Sequence, residues 1–396
     1  MRHKFSNILF KIFNLFVFRF HKITFPFINQ FIVKNGKIDI RLDLTKQCNL
    51  KCVYCHYSLP DTVNSSVHNL SLEDIKKIFE GCKNSIRQIN LSCGHEPLIN
   101  QESIQILEYL SQNHPKVFIY FVSNCTLLTE KKRSAVVSNK VDLITFSIDA
   151  ASKVNYEKIR RGSRFEKVIS NILALKKLKE DLNITKPAVN AIFVMLNSNI
   201  HEAAHFLNLT KFLGIESVTF HHLVKEGAIN YEMESLFMHK AKYNYFYELI
   251  TTKSKEIGVP ITIPDPFQIN EEWIPSIASD IEIDDVYKIL PDDQKEKITC
   301  KSESVHKYNT NFHIIDKFKP RCSFPFKEVH VKEKRFVKPC AYLSGPPLGD
   351  LKKDGNILDI FKNEEFTKLR KSMFSNTIDK RCLKCPLVAH KIKNNR

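Results

Sequence analysis

The chain has 396 residues, of which 43% are hydrophobic, so it can form two or three domains around a buried core. Its eleven cysteines, without a cleavable secretory signal, argue against a disulfide framework and predict metal or redox chemistry in a reducing, cytoplasmic location. The net charge of +17 suggests nucleic acid, but the lysines are spread along the whole chain, without the aromatic and basic interleaving of an RNA-binding strand. A lysine-rich composition is the favoured explanation, and attraction of an anionic substrate or membrane surface is the milder alternative.

The amino-terminal residues 1–36 differ in composition from the rest, with six Lys or Arg, nine Phe and no acidic residue. Lys4, Asn7, Lys11 and Asn14 recur at helical spacing on an otherwise apolar stretch. The apolar runs are too short to span a bilayer, and no small-residue cleavage site follows them. Two interpretations stay open: a helix in peripheral contact with an anionic membrane surface, or a helix packed across the core domain.

From residue 37 to about residue 223, short β-rich runs alternate with helical ones. A capping box predicts that the first helix of this region opens at Ser71, with Asp74 as its partner. Six βα-type repeats predict a parallel sheet with helices outside it, whose ligands bind at the carboxyl ends of the strands. The predicted strands are 37–44, 86–93, 116–122, 141–148, 187–195 and 216–222.

Three cysteines follow the first predicted strand, in the pattern Cys-x3-Cys-x2-Cys formed by Cys48, Cys52 and Cys55, with Tyr54 directly before the third. Three such thiolates can bind three irons of an iron–sulfur cube and leave the fourth iron open to a cofactor. A zinc site is the alternative, although zinc favours pairs of cysteines that supply four ligands. The spacing resembles that of the radical SAM superfamily, in which the open iron chelates the amino and carboxylate groups of S-adenosylmethionine (SAM).

At the end of the second strand, the segment Gly94 to Pro97 is similar to the Gly-Gly-Glu-Pro motif of that superfamily, with His95 in place of the second glycine. The resemblance implies that backbone carbonyls of this stretch accept hydrogen bonds from the methionine ammonium, and that Glu96 helps to orient it. His95 can keep the backbone contact, provided that its side chain points away or into the substrate space. A tolerated substitution with a surface imidazole is the favoured interpretation of His95.

Weaker similarities follow at the ends of later strands. Asn124 matches the family's Thr-Asn-Gly-Thr, with Cys125 as a small buried residue at the glycine position. The resemblance implies that Ser147 and Arg160 contact the methionine carboxylate, a role that suits a guanidinium. Val194 would give apolar cover to the adenine, although core packing explains it equally well. The predicted cofactor-binding residues are thus Tyr54, Gly94, His95, Glu96, Asn124, Ser147, Arg160 and Val194.

A second cysteine set, Cys322, Cys340, Cys382 and Cys385, lies near the carboxyl terminus. The surrounding sequence resembles the SPASM or twitch extension of radical SAM enzymes, in which a hairpin and a short helix carry an auxiliary [4Fe–4S] cluster. Four thiolates complete a cube without an open iron, which suits electron transfer. One auxiliary cluster is expected, because two clusters would need more cysteines than this part of the sequence holds: only Cys300 remains besides the four. A structural zinc site is the alternative.

The resemblance therefore implies an α/β fold: a partial (β/α)6 TIM-type barrel with a small cysteine-rich SPASM/twitch extension at its carboxyl-terminal end. Residues 224–317 contain a predicted helix near 238–257 and proline-rich, irregular sequence. The predicted organisation is an amphipathic segment at 1–36, a radical SAM core at 37–223, a linker or insert at 224–317 and the extension at 318–390.

This family cleaves SAM reductively to a 5′-deoxyadenosyl radical that takes a hydrogen atom from a substrate, with electrons from a donor such as flavodoxin or ferredoxin. A sugar, aminocyclitol or glycan-type small molecule is the favoured substrate. Peptide or protein maturation, RNA modification and a non-catalytic metal-binding role are the alternatives. The auxiliary cluster favours an oxidation; a redox-neutral reaction with Cys93, Cys125 or Cys300 as hydrogen donor stays open, and no pattern identifies a catalytic acid or base.

Overall fold

A computed structural model of the chain covers the predicted core and most of the predicted extension. Cys93, Cys300 and residues 1–20, which carry some of the predictions above, lie outside the described residues. The described residues are 21–59, 68–82, 84–92, 94–225, 229–269, 321–332, 334–375, 377–383 and 385.

One sheet of ten strands runs through the described part of the chain. The strands are β1 (Ile38–Leu42), β2 (Ile86–Asn90), β3 (Phe118–Ser123), β4 (Leu143–Ser147), β5 (Ala188–Met195), β6 (Ser217–His222), β7 (Ile261–Thr262), β8 (Glu328–Lys332), β9 (Phe336–Lys338) and β10 (Gly349–Asp350). Their order is β10-β9-β8-β1-β2-β3-β4-β5-β6-β7, with β1 to β7 parallel to one another and β8 parallel to β1. The six predicted core strands are present as β1 to β6, and the α/β fold with a partial barrel is confirmed.

Helices connect the strands and cover the sheet. They are α1 (His21–Asn35), α2 (Leu72–Phe79), α3 (Ser103–Asn113), α4 (Glu130–Ser138), α5 (Lys153–Ile159), α6 (Phe165–Asp181), α7 (Ala203–Phe212), α8 (Tyr231–Glu234), α9 (Lys240–Ile257), α10 (Phe324–Lys327), α11 (Ile357–Lys362) and α12 (Glu364–Ser372). The predicted capping box is present, since Ser71 Oγ accepts from the Asp74 amide and the Asp74 carboxylate accepts from the Ser71 amide. The predicted helix near 238–257 is α9, and β7 beyond it extends the barrel sheet.

Strand β5 shows how the sheet separates packing from the barrel interior. Its alternating side chains are buried at Ala191, Phe193 and Met195 and half-buried at Ile192 and Val194. The Phe193 ring packs against a ring of α7, with centroids 5.1 Å apart, so the buried face is the helix side. Val194 is therefore on the opposite, interior face, because successive strand side chains point to opposite sides.

The carboxyl-terminal extension is joined to the core through β8, which pairs with β1 although the partners Asp39 and Glu328 are far apart in the sequence. The antiparallel hairpin of β8 and β9 pairs Lys332 with Phe336 and turns through Lys334, which has a φ of 64°. Lys334 Nζ lies 2.9 Å from the carboxylate of Asp74 at the start of α2. The extension is thus fixed to the core by a shared sheet and by a cross-domain ion pair.

Helix α1 packs against this extension. Phe25, Ile28 and Ile32 are buried on one face of α1. Arg370 of α12 is fully buried, and its Nη1 donates to Asn29 Oδ1 at 3.3 Å. Residues 21–35 therefore form a packed helix, and the neighbour of its buried face is α12 of the extension.

The opposite face of α1 carries two exposed aromatic side chains. Phe27 is 71% exposed and Phe31 is 46% exposed. Within the described ranges, no helix is both long enough and apolar enough to cross a bilayer.

Candidate active site

The cysteine loop leaves the carboxyl end of β1 and is held over the barrel by backbone hydrogen bonds. The amide of Lys51 donates to the carbonyl of Arg161 at 2.9 Å, and the amide of Val53 donates to the carbonyl of Ile159 at 3.0 Å. Both acceptors follow or end α5, so the loop is tied to the segment that carries Arg160. The loop therefore lies where barrel folds place their ligands.

The structure brings the three thiols of this loop together. Cys52 is buried, Cys55 is half-buried and Cys48 is exposed. Burial raises the pKa of Cys52 to about 12, and the neighbouring Cys48 and Cys55 thiols contribute to the increase. In the part of the chain that is described, no three His, Cys, Asp or Glu side chains meet closely enough to hold a single metal ion. A cube binds each thiolate at a different iron, so its ligands stand further apart than those of one ion.

A buried ion pair lies directly behind the thiols. Arg160 Nη2 is 2.7 Å from Asp149 Oδ2, and both side chains are almost fully buried. Tyr54 completes a triangle, because its hydroxyl donates to Asp149 Oδ2 and accepts from Arg160 Nη2, each at 2.8 Å. The other carboxylate oxygen, Asp149 Oδ1, accepts from the Val194 amide at 2.9 Å. One carboxylate therefore connects the cysteine loop to the ends of α5 and β5.

Arg160 also places positive charge beside the thiols. Its Nη1 lies 3.8 Å from Cys52 Sγ. Burial lowers the pKa of Arg160, but the carboxylate of Asp149 and the Tyr54 hydroxyl raise it more, so that the pKa lies well above its usual range. The guanidinium stays charged and stabilises negative charge on the Cys52 sulfur, as a thiolate ligand of an iron–sulfur cluster requires.

Glu96 connects the ends of β2 and β3 from a buried position. Its Oε1 accepts from Ser123 Oγ at 2.9 Å, and its Oε2 accepts from the Asn124 amide at 2.7 Å. Burial raises the pKa of Glu96 to about 7, and these donors oppose the shift. In this structure the Glu96 side chain thus holds the loop of Asn124 in place. Because both of its carboxylate oxygens already accept hydrogen bonds there, ligand contacts of the Gly94 to Pro97 stretch would come from its backbone.

Asn124 in turn bonds to the cysteine loop. Its Nδ2 donates to Asn49 Oδ1 at 3.0 Å and lies 3.9 Å from Cys48 Sγ, while its Oδ1 accepts from Thr126 Oγ1 at 2.7 Å. The next residue, Cys125, is fully buried with a φ of 63°, a conformation that glycine adopts without strain. This backbone explains why the similar family motif has glycine there, and the burial of Cys125 agrees with its interpretation as a packing residue.

Gly94 allows a close approach between the second motif and the cysteine loop. A Cβ at Gly94 would lie 2.1 Å from Cε2 of Tyr57, two residues beyond Cys55, so no larger residue fits unless Tyr57 moves. His95 stacks on the same Tyr57 ring, with centroids 4.0 Å apart. His95 also lines a cavity between the core and the extension.

The two remaining predicted SAM contacts, Ser147 and Val194, also lie at the strand ends. Ser147 ends β4 and is half-buried. Val194 packs in a small apolar group with Val53 and Tyr54 of the cysteine loop, around Ile159. The structure therefore brings all eight predicted cofactor-binding residues to one edge of the sheet, around the three thiols.

Sequence reasoning missed two positioning residues at this edge. The sequence analysis assigns no role to Asp149, although an acidic residue directly after an apolar strand is a signal for a buried partner. Asn199 was not noticed: its Nδ2 donates to the carbonyls of Asp149 and Val194, each at 2.9 Å. Nothing local in the sequence distinguishes Asn199 from an ordinary loop residue.

The four carboxyl-terminal cysteines also come together. Cys382 and Cys385 are buried, and Cys322 and Cys340 are half-buried. Burial raises the pKa of Cys382 to about 12, and the nearby thiols of Cys340, Cys322 and Cys385 contribute to the increase. Four neighbouring thiols next to the hairpin form a donor set that suits a closed iron–sulfur cube, whereas in the described part of the chain they do not meet closely enough to hold a single zinc ion.

Comparison with known sequences finds a superfamily to which the core is similar. Residues 42–210 match the family model of the radical SAM superfamily. A GTP 3′,8-cyclase of Desulforamulus reducens is 30% identical over 194 residues, which cover 48% of this chain and 57% of the cyclase. A second GTP 3′,8-cyclase, of Petrotoga mobilis, is 30% identical over 174 residues, or 43% of this chain and 51% of the relative. The chain thus spans little more than half the length of these curated relatives.

Solved structures resemble a larger part of the chain. SuiB of Streptococcus suis, crystallised with S-adenosylmethionine, has a TM-score of 0.57 at 13% identity and covers 89% of this chain and 71% of its own. The enzyme anSMEcpe with bound AdoMet and the Cp18Cys peptide has a TM-score of 0.54 at 19% identity, covering 88% of this chain and 86% of its own. At these identities the likeness is one of fold.

Proposed function

Because residues 42–210 match the family model of the radical SAM superfamily, we propose that this chain is a member of it, an enzyme that cleaves SAM and takes a hydrogen atom from a substrate. The superfamily uses a [4Fe–4S] cluster and SAM, and the cluster supplies the electron that releases a 5′-deoxyadenosyl radical from SAM. The observation that carries the proposal is the convergence of Cys48, Cys52 and Cys55 at the barrel edge beside the Arg160 cation.

Each of the residues around the thiols has a supporting task in this proposal. Cys48, Cys52 and Cys55 would hold the cluster, and the backbone after Gly94 would accept from the methionine ammonium. Arg160 and Ser147 are proposed to face the methionine carboxylate, with Arg160 held in position by Asp149. Val194 and its apolar neighbours would exclude water from the adenine. The electron would come from an external donor such as flavodoxin or ferredoxin.

The auxiliary set supports a further step. Cys322, Cys340, Cys382 and Cys385 would hold one auxiliary [4Fe–4S] cluster in a SPASM/twitch-type extension. A substrate radical left by hydrogen abstraction becomes a closed-shell product when it loses one electron and one proton, and such a cluster accepts the electron. We therefore favour an oxidation of the substrate over a redox-neutral rearrangement.

The substrate proposal is a small molecule of the sugar or glycan type. The sequence relatives are named for a cyclase that acts on GTP, which is also a small molecule. This supports a small-molecule substrate without identifying that molecule. Peptide maturation is the second candidate, because the structures of SuiB and of anSMEcpe were solved with peptides, SuiA and Cp18Cys respectively. RNA modification rests on the charge of +17 alone.

The central test is SAM cleavage. Anaerobically reconstituted protein, reduced with dithionite and given SAM, should release 5′-deoxyadenosine and methionine in equal amounts, because the open iron of the core cluster binds and reduces SAM even when no substrate is present. Liquid chromatography with mass spectrometry measures both products. Protein that carries a full complement of iron and releases neither would contradict the proposal and favour a non-catalytic metal-binding role.

Peripheral membrane contact remains a proposal for residues 1–36, and the structure sharpens its test. Phe27 and Phe31 face away from the buried side of α1, so replacing both with Ser should abolish flotation with anionic liposomes while the helix stays packed through Phe25 and Ile32. Replacing the exposed Met233 and Met238, which lie far along the chain, with Ser is the matched control. Equal flotation of both variants would contradict membrane contact through α1.

A further inference from the structure

A cavity of about 410 Å³ lies between the core and the extension, at the carboxyl end of β1. Tyr57 and His95 form one side of it, next to the cysteine loop and the glycine motif. Phe336 and the surrounding hairpin residues form the other side. The cavity therefore opens beside the proposed SAM site, on the side where the extension closes over the barrel.

The lining of the cavity is strongly basic. Lysines from both walls reach it, and Asp43 is the single acidic residue that lines it in the part of the chain described. Four lysines against two carboxylates, Asp43 in the lining and Asp74 beside Lys334, leave a surplus of two positive charges. Two histidines add hydrogen-bond donors. The basic lining residues are Lys46, His68, His95, Lys332, Lys334 and Lys338.

The fold arranges this charge specifically. Lys332 on β8 pairs with Phe336 on β9, and Lys338 lies two residues beyond Phe336 on β9. These three side chains therefore share one face of the hairpin. That face is the one turned towards the cavity. Lys46 comes from the other wall, more than 280 residues away in the chain. An arbitrary scatter of surface lysines would not place charges from the core and from the extension around one cavity.

The local carboxylates cancel only part of the lysine charge, since Lys334 Nζ lies 2.9 Å from the carboxylate of Asp74. The Asp43 carboxylate accepts from the Gly94 amide at 3.1 Å and lies 3.5 Å from Lys332 Nζ. Lys338 donates to two neutral groups, the carbonyls of Leu343 and Gly345, at 3.2 and 3.0 Å. Because carbonyls carry no net charge, the Lys338 cation remains available to an anion.

We propose that this cavity binds the phosphate or diphosphate group of a phosphorylated small molecule. Lysine is a common point-charge partner for phosphate, and a diphosphate carries enough negative charge to offset the surplus. The Tyr57 and His95 rings and Phe336 provide flat apolar walls for the ring of a sugar or base attached to it. The role as a substrate site rests on the proposed function; the binding of the anion does not.

The test measures binding of inorganic diphosphate to the full-length, cluster-loaded protein by isothermal titration calorimetry at about 0.1 M salt, where screening is moderate. Replacing Lys46 and Lys338 with Gln should weaken binding about tenfold or more, because two charge-assisted contacts are lost. The matched control, Lys352→Gln with Lys353→Gln, removes the same charge from exposed positions of the extension and should change the affinity less than about twofold. The charge-retaining Lys46→Arg with Lys338→Arg should bind diphosphate nearly as the unchanged protein does.

If both double glutamine variants weaken diphosphate binding equally, binding is due to general surface charge and the proposal is overturned. The proposal is also overturned if the protein without substitutions binds no diphosphate. Single-stranded RNA that competes with diphosphate and loses affinity through Lys46 and Lys338 would overturn the small-molecule assignment. If the double glutamine variant does not fold, Lys46→Gln against Lys352→Gln decides the question, with a threefold difference as the threshold. SAM cleavage by the unchanged protein is measured separately: diphosphate binding without cleavage refutes the proposed function alone, and cleavage without binding refutes this inference alone.

Discussion

Replacing Cys48, Cys52 and Cys55 together with Ala is expected to abolish SAM cleavage and to lower the iron content from about eight to about four atoms per chain, the content of one remaining cube. The physical reason is that the three thiolates are proposed to hold the core cluster, whereas the carboxyl-terminal set lies in a separate element. Iron analysis and 5′-deoxyadenosine formation after anaerobic reconstitution measure the two effects.

Two controls make this result specific. Cys82→Ala changes a buried cysteine outside both sets and should leave iron content and cleavage unaltered. Cys340→Ala with Cys382→Ala should remove the other four irons, about one cube, while SAM cleavage without substrate continues. Continued 5′-deoxyadenosine formation by the triple variant would show that the core assignment is wrong. Zinc in place of iron at the carboxyl-terminal set would show that the auxiliary cluster is wrong.

Much of the barrel could be predicted from local sequence. The strands β1 to β6 have apolar runs of strand length between helical patterns, and a parallel sheet follows from their alternation. The capping box at Ser71 is a local signal, because its two partners are three residues apart. The cysteine loop could be placed at the carboxyl end of β1 for the same reason, since the rule that ligands bind there needs only the order of the elements.

Contacts between distant segments could not be predicted. Arg41 on β1 and Glu328 on β8 lie 3.4 Å apart although 287 residues separate them, and neither sequence segment indicates the other as its partner. Strand pairing depends on complementary packing that forms only in the folded sheet. The basic cavity could not be predicted for the same reason. Its lysines are scattered along the sequence and come together only when β8 pairs with β1.

The Asp149 and Arg160 pair is a contact that the sequence motifs do not predict. The sequence similarity assigned Arg160 to the methionine carboxylate and left Asp149 without a role. In the structure Arg160 is already held by Asp149 and by Tyr54, the residue before the third cysteine. A guanidinium with one edge fixed this way is a preorganised partner for a carboxylate, because its remaining donors keep a defined direction.

Asp149→Ala should therefore destabilise the protein strongly and weaken SAM binding. The substitution leaves the Arg160 cation buried without its carboxylate, a change that costs about 3–5 kcal/mol when one partner of a buried pair is removed. It also removes the acceptor of the Tyr54 hydroxyl and of the Val194 amide, so the cysteine loop loses its anchor. Thermal unfolding and SAM equilibrium binding of the reconstituted protein, under anaerobic conditions, measure the two losses.

The comparison variant is Glu166→Ala, which breaks the ion pair of Glu166 with Lys153 at the surface. Solvent screens that pair, so its loss should change the stability little and leave SAM binding unchanged. Removing both buried charges, with Asp149→Leu and Arg160→Met, should recover stability relative to Asp149→Ala because no unpaired charge remains buried, yet SAM binding should stay weak. If Asp149→Ala were no more destabilising than Glu166→Ala, the buried pair would not be the anchor of the cysteine loop, and the position of Arg160 would have to be set by the α5 backbone alone.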